Sequence, residues 1–118
     1  MSALALPADI AVEERLGDTW RVTINFLDVN GATESHAGST WRGQIKTAKA
    51  SASSFASFTV DTTNAATGII ISSLAAATTA TATVDTLYYW EIEETAASGD
   101  VITHLAGTVV WRQDVARA

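Results

Sequence analysis

The chain has 118 residues, 47% of them hydrophobic and 17% charged, with a formal net charge of −6 and no cysteine. That length fits one domain, and the composition is that of a globular protein and not of a disordered one. The acidic balance argues against a nucleic-acid partner, the missing thiols exclude disulfides and thiolate metal sites, and no apolar run approaches the roughly 20 residues of a membrane span.

Residues 1–8, with Leu4 and Leu6, read as an N-terminal arm, and 9–118 as a single domain. The opening MSALALPAD has neither the basic region nor the long apolar segment of a secretory signal, so a soluble intracellular product is expected until it meets a partner. After Pro7, residues 9–14 (DIAVEE) predict a short edge strand. In GDTWRVTINFLDVNG, Trp20, Val22, Ile24 and Phe26 fall on alternate positions, with Arg21, Thr23 and Asn25 between them. Residues 19–28 therefore predict a strand with one apolar face, stopped by a turn signal at Asn30-Gly31.

The segment 40–46 (TWRGQIK) puts Trp41, Gly43 and Ile45 on one face and Arg42, Gln44 and Lys46 on the other. Residues 48–57 (AKASASSFAS) are small and polar and predict a loop. A strand over 55–61 (FASFTVD) offers Phe58 and Val60 to the core. The apolar run in 67–74 (TGIIISSL) is that of a strand covered on both faces, with Ile69 and Ile71 assigned to the core. Residues 75–86 carry alanine enough for a helix but too many threonines for a long one. One or two helical turns crossing between sheets are expected there. In 87–94 (LYYWEIEE), Tyr88, Trp90 and Ile92 point inward and Tyr89, Glu91 and Glu93 outward. A turn at Ser98-Gly99-Asp100 leads to the last strand, 101–111, which adds Leu105 and Val109 to the core. About seven short strands with regular turn signals predict an all-β sandwich.

Taken in order, GDTW opening a strand, TWRGQIK, TGIIISSLAAATTA, LYYWEIEE with SGDV, and LAGTVVWRQDVAR form a set. From about Leu6 to Arg117 that set resembles the immunoglobulin-like β-sandwich domains of tailed-phage virion proteins, such as the N-terminal domain of phage baseplate upper proteins and small tail or fibre-associated proteins. The resemblance implies an immunoglobulin-like antiparallel sandwich of about seven strands with one short helical turn. It also implies a structural role in the tail tip, baseplate or fibre attachment, with no cofactor and no catalytic residue. The expected partners are other virion proteins and copies of the chain itself, with synthesis in the host cytoplasm and a homo-oligomer in the assembled particle. A capsid decoration protein and a carbohydrate-binding adhesion module are the alternatives.

The candidate chemistry is sparse. His36 and His104 lack HxH or HxxxH spacing and read as ordinary turn and strand-face histidines, with no metal expected. Glu91, Glu93 and Glu94 invite a two-carboxylate glycosidase reading, but the solvated outer face of a half-exposed strand is the stronger one. No GxSxG, GxGxxG or GxxxxGK occurs, and no enzymatic activity is expected. Trp20, Trp41, Trp90 and Trp111 lie in phase with inward residues, which favours core packing over a sugar-stacking platform. Leu4, Leu6, His36 and Tyr89 are the candidate interface residues, with the loops 33–38 and 48–57 around them.

Overall fold

The computed structural model describes residues 8–51 and 53–113, so Leu4 and Leu6 lie outside the described residues. Among those residues the chain forms β1 (Ala8–Arg15), β2 (Trp20–Asn25), β3 (Thr40–Lys46), β4 (Ala56–Ser57), β5 (Thr59–Asp61), β6 (Ile69–Leu74), β7 (Leu87–Thr95) and β8 (Val101–Arg112). One sheet has the order β1-β8-β7-β3-β4 and the other β2-β6-β5. Neighbours run antiparallel except β1, which lies parallel to β8. The small sheet and the β3-β7-β8 block correspond to the two halves of an immunoglobulin-like sandwich. The expected fold class is the observed one.

Alternation decides which face each strand buries, and it holds in most of them. Trp20, Val22, Ile24 and Phe26 turn toward the opposite sheet, as do Gly43 and Ile45 on β3 and Tyr88, Trp90 and Ile92 on β7. Trp20 is the hub. Its ring meets Phe58, Trp90 and Trp111 edge to face at centroid distances of 5.1, 5.3 and 5.8 Å. Val109 is fully buried beside them, and Val60 and Leu105 pack against the cluster half-buried. Trp41, expected in the core with the other tryptophans, is only half-buried and sits at one end of the sandwich.

The expected single strand over 55–61 is broken in two. Ala56–Ser57 pairs with β3 and Thr59–Asp61 with β6, so the chain changes sheet at Phe58. Gly43 makes that corner possible, because a Cβ there would come within 2.6 Å of Phe58 Cδ2. The assignment of Ile69 and Ile71 to the core is also corrected. Ile70, Ser72 and Leu74 are buried, while Ile69 and Ile71 are half-buried on the other face. A run of three isoleucines has no phase of its own, so pairing sets it. Trp20, Val22 and Ile24 stand opposite Leu74, Ser72 and Ile70, and directly opposed residues share a face.

Two turns differ in their use. Ser98-Gly99-Asp100 closes the β7–β8 hairpin, with Ala96 N–H donating to the Asp100 carbonyl. Asn30-Gly31 joins no neighbouring strands, because β2 and β3 lie in different sheets. It turns the chain inside their long connection, where Asp28 Oδ1 accepts the N–H groups of Asn30 and Ala32. Within 75–86 one helical turn, α1 (Ala76–Thr79), crosses between the sheets. Just after it, the Thr83 N–H donates to the Tyr88 hydroxyl at 2.9 Å. A tyrosine at the start of β7 tied back to this connection is the corner device of immunoglobulin sandwiches.

Candidate functional site

The connection between β2 and β3, the β7–β8 hairpin and the turn 62–68 gather at one end of the sandwich. His36 N–H donates to the Ala65 carbonyl at 2.9 Å, which ties the first of these to the third. Gly68, with φ at +80°, lets that turn pass close beneath, since a Cβ would meet the Phe26 and Glu34 carbonyl oxygens at 2.7 Å.

Glu94 is the centre of this end. It lies two residues beyond Ile92, in the inward phase of β7, and is 2% exposed. That corrects its placement on a solvated face with Glu91 and Glu93. Opposite it, β8 carries one extra residue: Ile92 pairs with Leu105 and Glu93 with Thr103, leaving His104 as a bulge. Bulges re-aim side chains. Here the bulge turns the His104 ring toward Glu94, and His104 Nε2–H donates to Oε1 at 2.8 Å.

His36 arrives from the β2–β3 connection, its Nδ1–H donating to Glu94 Oε2 at 2.7 Å. Its Nε2–H donates to Glu34 Oε1 at 2.9 Å. Both ring nitrogens of His36 thus face carboxylate oxygens, Nδ1 that of Glu94 and Nε2 that of Glu34. Ser39 Oγ–H also donates to Glu94 Oε2, at 2.5 Å. Aromatic rings close over the group. Phe26 lies 3.9 Å from the His36 ring and 4.8 Å from that of His104, and Trp41 stacks on His104 at 5.6 Å.

Burial pushes the Glu94 carboxyl up, but hydrogen bonds from Ser39, His36 and His104, with the charge of His36, outweigh it. The net result holds Glu94 below its ordinary value. A depressed native value contributes stability that is present above the unfolded glutamate value, about 4.3, and lost as pH falls through the native one. Metal-free wild type should therefore exceed Glu94→Gln in unfolding free energy at neutral pH by more than at pH 3. Urea titrations of both proteins in chelator read that difference, and a gap independent of pH over this range contradicts it.

His36, expected at an interface, instead turns its ring inward, with 11% of the side chain exposed. Sequence spacing missed this cluster because its members come from three segments. The available signal was the phase of Glu94 alone. Tyr89 is half-buried on the outer face of the five-stranded sheet, with the Lys49 ammonium 5.4 Å from its ring. It lines an open groove of 520 Å³ with Gln44, Lys46, Glu91 and Thr108. The other two carboxylates of the glycosidase reading, Glu91 and Glu93, point away from Glu94, which leaves no facing pair in β7. The chain matches no protein-family model and no curated protein, so its fold and the chemistry of this end carry the functional reading.

Proposed function

We propose that this chain is a structural subunit of a tailed-phage particle, an immunoglobulin-like domain of the tail tip, baseplate or fibre attachment that acts through protein–protein assembly. The supporting observation is the apolar rim of the end just described. Leu27, Val101 and Ile102 are exposed there, and Val29 is fully so. Leu27 and Val29 lie in the β2–β3 connection and Val101 and Ile102 open β8, next to the hairpin whose Ala97 approaches Gly38 of that connection. Exposed apolar side chains gathered at one end of a domain suit a contact with a partner. The edges of the five-stranded sheet are less suited to open-ended pairing, since β4 has two residues and β1 ends in Glu13, Glu14 and Arg15. Contact with other virion proteins, or with further copies of the chain, is accordingly assigned to this end of the sandwich.

The Tyr89 groove favours a second reading, a carbohydrate-binding adhesion module, because an aromatic face among polar groups suits a sugar ring. The two readings separate in one experiment. Val29→Asp with Val101→Asp should leave the melting temperature unchanged, because both side chains are exposed. Loss of a central apolar contact should reduce incorporation into particles at least about tenfold. Wild-type incorporation of this variant, or glycan binding abolished by Tyr89→Ala alongside it, favours adhesion instead.

A further inference from the structure

Three donors from three separate chain segments converge at the buried end of the sandwich. The ligand atoms of His36, Glu94 and His104 all lie within 4.8 Å of one another. We propose that His36 Nδ1, Glu94 and His104 Nε2 bind one divalent transition-metal ion, with zinc the best fit. Two imidazoles and a carboxylate are a normal zinc donor set, with a fourth position left for water or a partner's side chain.

The surroundings point the same way. Metal-bound histidines generally donate their second ring N–H to a carboxylate, which fixes the ring and strengthens the ligand. His36 does this with Glu34 through Nε2, leaving Nδ1 to face Glu94. Ser39 supports the Glu94 carboxylate in the same manner. The β8 bulge and the rings of Phe26 and Trp41 orient His104 and shield the group from solvent.

Geometry asks for a local rearrangement of the three side chains. Tetrahedral ligands about 2.0–2.1 Å from zinc stand about 3.3 Å apart. The His–Glu94 contacts of 2.7 and 2.8 Å must open by about half an ångström, and the widest ligand-atom separation, up to 4.8 Å, must draw in, as the ion displaces the shared protons. Bound there, zinc clips the β2–β3 connection to β7 and β8. The apolar rim that carries the proposed assembly contact is then set in place, although the metal site stands whatever that rim binds.

The test uses full-length chain without an affinity tag, stripped with chelator and titrated with zinc chloride, then with cobalt. One equivalent should bind, the melting temperature should rise with zinc, and cobalt should give the visible band of a four-coordinate nitrogen–oxygen site. His104→Gln and Glu94→Gln should lose this binding. Glu34→Gln, which keeps an acceptor for the His36 Nε2–H but removes the carboxylate charge, should bind zinc roughly 10–100-fold more weakly. No saturable uptake by the wild type below about 0.1 mM, or uptake that survives His104→Gln, overturns the proposal.

Discussion

Trp20→Ala is expected to lower the unfolding free energy by about 3–5 kcal/mol, the usual range for truncating a core aromatic. Trp20 is 4% exposed and joins the two sheets, since it stands on β2 while its partners Trp90 and Trp111 stand on β7 and β8. Its removal leaves a cavity bordered by three aromatic rings, whose edge-to-face contacts add to the lost burial. Trp41→Ala should cost less, because Trp41 is half-buried and outside that cluster's centre. Denaturant titrations of the two variants give the comparison. A Trp20→Ala loss below about 1 kcal/mol, outside the range for a buried aromatic, contradicts the account of the core.

A second large effect is expected at Gly107. This residue pairs with both Ile10 on β1 and Trp90 on β7, so three backbones meet there. A Cβ at position 107 would fall 1.8 Å from the Ile10 carbonyl oxygen, which is backbone and has no rotamer to yield. Gly107→Val must therefore push β1 off β8, at a cost of about 3 kcal/mol, the upper end for overpacking. Hydrogen exchange locates the damage. Amides of β1 should lose protection while those of β7 and β6 keep theirs. Unchanged protection in β1 would show that the strand is not held at this close approach.

Much of the sandwich is legible in the sequence wherever apolar and polar residues alternate. The faces of β2, β3 and β7 follow directly from Trp20 to Phe26, Trp41 to Ile45, and Tyr88 to Ile92. Legibility ends where periodicity does. Three successive isoleucines left the phase of β6 to its register with β2. The sheet change at Phe58 depends on the space above Gly43, which is a tertiary fact. Turn chemistry at Asn30-Gly31 specified a reversal but not what it connects. The His36–Glu94–His104 group was the least legible part. Its members are 58 and 10 residues apart along the chain, and a one-residue bulge decides where His104 points.

The central claim is that this domain works by assembly into a tailed-phage particle, and composition and imaging of purified particles test it most directly. With the chain carrying a small C-terminal label, the account predicts that it copurifies at a fixed copy number. Labelled density should lie at the tail tip, baseplate or fibre attachment. Label spread over the capsid surface would instead support a decoration protein. Particles that lack the chain while it accumulates free would contradict the structural role itself.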